Sequence, residues 1–158
     1  MVDFDDWVAA RGPALMRLAY YLTGSRTDAE DAVQDALSRA LPRWKRISTM
    51  NDPDGYVRRM VYNAHISRWR KTRNLEVLVD AFEERPLIDG VAAEDRDRMW
   101  RACLALPAAQ RTAVVLRFYE DLDYSEIAAL TGAREGSVRV NVSRGVAALR
   151  AQFGGTHD

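Results

Sequence analysis

The chain has 158 residues, nearly half of them apolar, which suits one domain or two small ones. Its 23 basic and 23 acidic residues cancel, so the whole molecule is no generic polyanion binder and local charge patches matter more than the total. The single cysteine, Cys103, excludes an intrachain disulfide and, set among Met99, Trp100 and Leu104, reads as a buried thiol.

Helix formers such as Ala, Leu, Arg and Glu dominate, and no sustained alternating pattern suggests strands, so the expected fold is all-α. Phe4, Trp7 and Val8, then Leu15, Leu18, Ala19 and Leu22, recur at helical spacing and predict a helix or helix pair ending near Gly24. The acidic N-terminus lacks the apolar core of a signal peptide, and no run approaches the ~20 apolar residues of a membrane span. The expected location is the cytoplasm. Thr27-Asp28-Ala29-Glu30 has the form of a capping box opening a helix to about Trp44, broken near Pro42. Ala29, Val33, Ala36, Leu37, Ala40 and Leu41 form its apolar face. Glu30, Asp31, Gln34 and Asp35 are left exposed, which simple helix electrostatics would also favour.

Residues 46–55, RISTMNDPDG, are a loop by composition. In the helix that follows, Val57, Met60, Val61 and Ala64 make a buried stripe, and Tyr56, Arg59, Asn63 and Ser67 align beside it. From Tyr56 to Arg73 the sequence holds Arg58, Arg59, Arg68, Arg70, Lys71 and Arg73 and no acid. Aromatics interleaved with arginines suit single-stranded nucleic acid, since rings stack on bases while cations follow the backbone. A solvated basic helix with core aromatics is the plainer alternative. Residues 74–95 turn acidic and include Pro86 and Gly90. They read as a linker, with a short helical turn at 75–82, between domains at 1–73 and 96–151. Residues 152–158 form a tail.

Beyond the linker a helix is expected from Arg96 to Leu106, with Met99, Trp100, Cys103 and Leu104 apolar. Pro107 suits the first turn of the next helix, which carries Ala108, Val114, Val115, Phe118 and Tyr119. Asp121 to Arg150 then has the outline of a helix-turn-helix. Asp123 can cap the supporting helix with Glu126 completing the box; Ile127, Ala128 and Leu130 face inward; Gly132 ends it. The second helix should run from about Arg134 to Arg150. At ~100° per residue, Val138, Val142, Gly145, Val146 and Leu149 share one face. Gly136, Ser137, Arg139, Val140, Ser143, Arg144 and Arg150 share the other, with Asn141 at the border. Small residues admit a helix to a DNA groove, and arginine reaches guanine edges or phosphates. An amphipathic hairpin that merely packs would show the same spacing.

His65 and His157 have no Cys or His at ligand spacing, and there is no phosphate-binding glycine loop or Ser/His/Asp or Cys/His constellation. The expectation is a protein that is not an enzyme and needs no metal or cofactor.

TDAEDAVQDALSRALPRW, then YVRRMVYNAHISRWRK, then LPAAQRTAVVLRFYEDLDYSEIAALTGAREGSVRVNVSRGVAALR, resemble in order and spacing the extracytoplasmic-function (ECF) sigma factors, sigma-70 family, of bacterial RNA polymerase. The likeness spans nearly the whole chain, and Ser143-Arg144-Gly145 is similar to the short actinobacterial members. It implies two helical domains, sigma regions 2 and 4, and a subunit that directs core polymerase to −35 and −10 promoter elements and helps melt DNA. The helix from Asp28 to Trp44 looks like the one that docks on the β′ clamp helices. Asp31, Gln34 and Asp35 match core-binding positions, with Asp28 at the head of that face. The loop at 46–55 resembles one that pockets a flipped −10 base. Tyr56, Arg59 and Asn63 match positions that wedge the duplex and contact the melted strand, and Arg68, Arg70 and Lys71 extend that surface. Arg139 and Arg144 match −35 contacts, within a face that includes Arg134, Ser137, Val140, Asn141 and Ser143. Further partners implied are the β flap and an anti-sigma factor.

This sequence departs from the family at four places. Val140 and Asn141 stand where polar or basic residues are common, Arg134 where a Ser or Thr cap is usual, and Tyr56 where tryptophan is frequent. The main competing reading is a stand-alone helix-turn-helix regulator, which would need a dimerisation surface and a sensor domain. A helical interaction module or degenerate enzyme is a third.

Overall fold

The computed structural model describes residues 2–76 and 95–154, with side chains described over 2–71 and 98–152. The described residues are helical, with no strand among them, and the chain divides into two compact units at residues 83 and 84. No helix among the described residues is long and apolar enough to cross a membrane.

The first unit begins with α1, Phe4–Thr23, one continuous helix rather than a pair. Gly24 closes it in the left-handed conformation at φ 73°, where glycine has no Cβ penalty. Ser25 then starts α2, Arg26–Ala40, its hydroxyl accepting the Asp28 amide at 3.3 Å. The expected cap at Thr27 is therefore displaced by two residues. The Thr23 hydroxyl donates to the Ser25 carbonyl at 2.9 Å, so the connection is a tight Gly24-Ser25 turn and Thr27 lies inside the helix. A 3₁₀ turn at Leu41–Arg43, around Pro42, leads into α3, Trp44–Ile47. The change of period rotates Leu41 outward. It is 56% exposed, contrary to its expected place on the apolar face.

The loop expected over 46–55 is shorter: α3 extends to Ile47 and α4 runs Pro53–Glu76. Asp52 sets its start, accepting the Gly55 amide at 3.0 Å. A Cβ on Gly55 would run into the Asp52 carboxylate, so glycine is what permits this close approach. Proline at the first helical position has no amide to leave unsatisfied. Of the short turn expected at 75–82, residues 75 and 76 belong to the end of α4 and the rest lie outside the described residues, as does most of the expected linker.

The core of this unit gathers Trp7, Leu15 and Ala19 of α1, the alanine-rich face of α2, Trp44 and Ile47, and Val57 and Val61 of α4. Alanines on α2 let its neighbours approach closely. Phe4 meets Trp44 edge-on at 5.4 Å, and Trp7 lies 5.1 Å from the same ring. Both indole N–H groups find acceptors: Trp44 donates to the Val2 carbonyl at 2.8 Å and Trp7 to Asp54 at 2.7 Å.

The second unit contains α5 (Asp95–Cys103), α6 (Ala108–Val114), α7 (Tyr124–Thr131) and α8 (Glu135–Gly154). Helix α5 ends before the expected Leu106, because residues 104–106 form a turn into Pro107 at the N-cap of α6. A π-helical turn, Val115–Tyr119, continues α6. The wider turn shifts the helical phase, so Phe118 is 49% exposed rather than inward, while Tyr119 packs edge-on against Trp100 at 5.0 Å. Met99 is also exposed. Cys103 is buried, and burial pushes its thiol up to about 11.

Candidate nucleic-acid interface

In the first unit the packing of α2 and α4 decides which side chains remain available. Ala29, Ala32, Val33, Ala36 and Ala40 turn α2 inward, leaving Asp28 and Gln34 exposed and Asp31 and Asp35 half-exposed. Asp35 pairs along its own helix with Arg39 at 3.1 Å. On α4, Val57, Val61, Tyr62 and Ile66 face inward. Tyr56 is half-buried and packs against the core, while Arg59, Asn63, Arg70 and Lys71 are exposed. At ~100° per residue, Tyr56, Arg59, Asn63 and Arg70 fall within about 60° of one another, so one stripe carries an aromatic, an amide and two cations.

Arg68 lies about 120° from Tyr56 by the same count, on another side of α4. Its Nη1 meets the Asp31 Oδ2 at 2.8 Å. The hydrogen bond to Asp31 holds the guanidinium above its usual range; partial burial opposes this, and Asp31, Asp28 and Asp35 add Coulombic support. Two residues assigned to different partners thus form one ion pair. The pair is about half exposed on each side, so it is weak.

The second unit builds the helix-turn-helix as the sequence outlines it. The Asp123 carboxylate accepts the Glu126 amide at 2.8 Å, and the Glu126 side chain accepts the Asp123 amide at 3.2 Å, completing the capping box. The Glu126 amide, then the Ser125 hydroxyl, hold the Asp123 carboxyl below the usual carboxylate range. Gly132 ends α7 at φ 75°. The Val138 amide bonds back to the Arg134 carbonyl at 3.0 Å, so Arg134 stands where α8 begins.

On α8, Val138, Val142 and Gly145 are buried. A Cβ on Gly145 would lie 2.6 Å from the Val114 Cγ2 of α6, so the missing side chain sets how closely these helices pack. Arg134, Ser137, Arg139, Val140, Ser143 and Arg144 are exposed, and Asn141 is half-exposed at the border.

Sequence reasoning missed several residues around this face. The Arg139 guanidinium lies 4.4 Å from the Tyr124 ring centre and 3.1 Å from the Glu135 carboxylate. The i,i+4 spacing of Glu135 and Arg139 was a legible signal; the ring contact was not, because it crosses from α7 to α8. Arg117, in the π turn, donates to the Leu122 carbonyl at 3.1 Å and lies 5.1 Å from the same tyrosine ring. Asp121 between them takes the left-handed conformation at φ 56°. Among the described residues, no group of three or more His, Cys, Asp or Glu is arranged to hold a metal.

Residues 7–75 match the family model for Sigma-70 region 2, and residues 96–149 match that for Sigma-70, region 4. The chain is 33% identical over 154 residues to the RNA polymerase sigma-E factor of Streptomyces coelicolor, across 97% of this chain and 87% of that protein. It is 29% identical to the RNA polymerase sigma factor SigV of Bacillus subtilis, across 87% and 82% of the two chains. Among solved structures, the sigma factor RpoE of Bartonella quintana, in complex with the anti-sigma factor NepR, is similar with a TM-score of 0.60 and 26% identity. That likeness covers 96% of this chain and 97% of the other.

Proposed function

The chain belongs to the extracytoplasmic-function branch of the sigma-70 family of RNA polymerase subunits, and from its place as a promoter-specificity subunit we propose how its residues divide the work. The first unit carries region 2 over 1–73, and residues 74–95 link it to the second. Its acidic face, Asp28, Asp31, Gln34 and Asp35, takes the β′ clamp helices of core polymerase. The stripe of Tyr56, Arg59, Asn63 and Arg70, with Lys71 beside it, takes the opened −10 strand, while Arg68, on another side of α4 and paired with Asp31, stands apart from it. Extruding a base costs a few kcal/mol of stacking, offset by stacking on protein and by pocket contacts. The second unit is region 4. Arg134, Ser137, Arg139, Val140, Asn141, Ser143 and Arg144 face the −35 duplex, and the β flap of the core enzyme holds the unit there. The polymerase supplies the chemistry, and this chain performs no catalytic step.

The observation that carries this reading is on α8. The residues expected to meet DNA are those its packing leaves outside, while Val138, Val142 and Gly145 fasten the opposite face. A stand-alone regulator would leave the region 2 match at 7–75 without a use. Neutral net charge accords with a protein that depends on polymerase to hold it on DNA. The proposed site of action is the cytoplasm, on the nucleoid. Because the solved relative was captured with an anti-sigma factor, we extend that kind of partner to this chain.

The test is holoenzyme assembled with two variants. Asp31→Ala weakens association with core enzyme. Arg144→Ala leaves association intact and lowers affinity for a −35 duplex by about 1–3 kcal/mol. Unchanged duplex affinity removes Arg144 from the interface, and unchanged core binding removes Asp31.

A further inference from the structure

The arginines of the α8 face are not equivalent. Among the described residues, Arg134, Arg144 and Arg150 make no ion pair or ring contact, whereas Arg139 is held twice. Its guanidinium sits 4.4 Å from the Tyr124 ring centre, and its Nη2 lies 3.1 Å from the Glu135 carboxylate. The Glu135 contact belongs to the same helix. The Tyr124 contact is different, because it ties the DNA-facing helix to the first residue of the supporting one.

Tyr124 is itself well fixed. It follows the capping residue Asp123 directly, so the capping box sets its backbone. It is half-buried, and a second guanidinium, that of Arg117, lies 5.1 Å from its ring. Arg117 is anchored in turn by its bond to the Leu122 carbonyl. The ring therefore offers a set platform to whatever side chain reaches it from α8.

We propose that Tyr124 is a positioning residue for −35 duplex recognition, holding the Arg139 guanidinium in place on the exposed face of α8. This rests on the reading of α8 as the −35 helix. An unrestrained arginine loses most of its side-chain freedom when it docks; one already held on a ring loses less, so the same contacts yield tighter binding. The platform needs an aromatic face and makes no use of the phenol hydroxyl, which has no hydrogen-bond partner among the described residues.

The experiment uses holoenzyme built from core polymerase and each full-length variant. The probe is a promoter duplex selected from a −35-randomised pool by the wild-type holoenzyme. Tyr124→Leu should weaken duplex binding about three- to tenfold, while Tyr124→Phe, which keeps the ring, should stay within about twofold. In an Arg139→Ala background, Tyr124→Leu should add less than about twofold, because nothing remains for the ring to hold. A loss of fold would persist in that background, so an undiminished effect there overturns the proposal. It is overturned equally if Tyr124→Leu binds like wild type, or if Tyr124→Phe falls as far as Tyr124→Leu. Arg139→Ala without effect would strike the assignment of Arg139 to DNA itself; a sensitive Arg139 with an insensitive Tyr124 would strike only the positioning role.

Discussion

Asp54 joins the first helix to the helix proposed to handle the opened strand, and its removal should be costly. One carboxylate oxygen accepts the indole N–H of buried Trp7 at 2.7 Å, and the other meets the Arg11 Nε at 3.2 Å. A hydrogen bond to a charged acceptor contributes about 1.5–3 kcal/mol, and its loss leaves the indole N–H unsatisfied. The Arg11 pair, exposed on the arginine side, contributes at most about 1 kcal/mol. Asp54→Ala should therefore destabilise the first unit by about 2–3 kcal/mol. Asp54→Asn keeps an oxygen for the indole and loses only the charge, so it should cost about 1 kcal/mol. Urea unfolding followed by tryptophan fluorescence reads this directly, because Trp7 and Trp44 sit together in that core. The variant should also impair strand opening more than −35 binding, since Asp54 precedes Tyr56 by only two residues. The reasoning fails if Asp54→Ala unfolds within about 0.5 kcal/mol of wild type, or if Asn is as damaging as Ala.

Four further outcomes are expected. Gly145→Ala should lower the stability of the second unit by about 1 kcal/mol, because overpacking against the stiff Val114 outweighs the ~0.5–1 kcal/mol helix gain. Adding Val114→Ala should lessen that effect in a double-mutant unfolding cycle, and a net gain from Gly145→Ala alone would contradict it. A double-mutant cycle on Asp31 and Arg68 should return about 0–1 kcal/mol at low salt and nearly nothing at ~1 M, with a salt-insensitive coupling as the contrary result. Cys103, with its thiol pushed up to about 11 by burial, should resist a thiol reagent at pH 8 until the chain is unfolded; prompt labelling of native protein would show it exposed. Asp123, held below its ordinary 3.8, stabilises α7 above that value, and this contribution is lost as pH falls through the depressed native value. The stability gap between wild type and Asp123→Ala should thus be constant near neutrality and close in acid, and a gap that widens in acid would refute the assignment.

What could be read in the sequence was whatever depends on local periodicity and caps. The Asp123–Glu126 box, the left-handed Gly132 and the two faces of α8 follow from neighbours within one turn, and the structure reproduces them. Errors arose where the helical period changes or where several caps compete. Leu41 and Phe118 turned outward because a 3₁₀ turn and a π turn shift the phase set by the preceding helix. Thr27 lost the cap of α2 to Ser25, because ending α1 on Gly24 leaves only a two-residue connection. Contacts between helices were beyond a one-dimensional reading. Neither the Trp7–Asp54 bond, 47 residues apart in sequence, nor the Tyr124–Arg139 contact leaves a periodic trace. The Asp31–Arg68 pair likewise joins two segments that composition treats as separate patches.

The central claim is that this chain selects promoters for core polymerase by reading one duplex element with α8 and opening another with α4. Its most direct test is in vitro transcription by core enzyme plus this protein on a pool randomised across both elements. The account predicts transcripts that depend on the added chain and share two separated sequence elements. Arg144→Ala should relax preference in the upstream element alone, and Asn63→Ala in the downstream one alone. A pool that stays silent with active core enzyme, or transcripts with no shared upstream element, would contradict it.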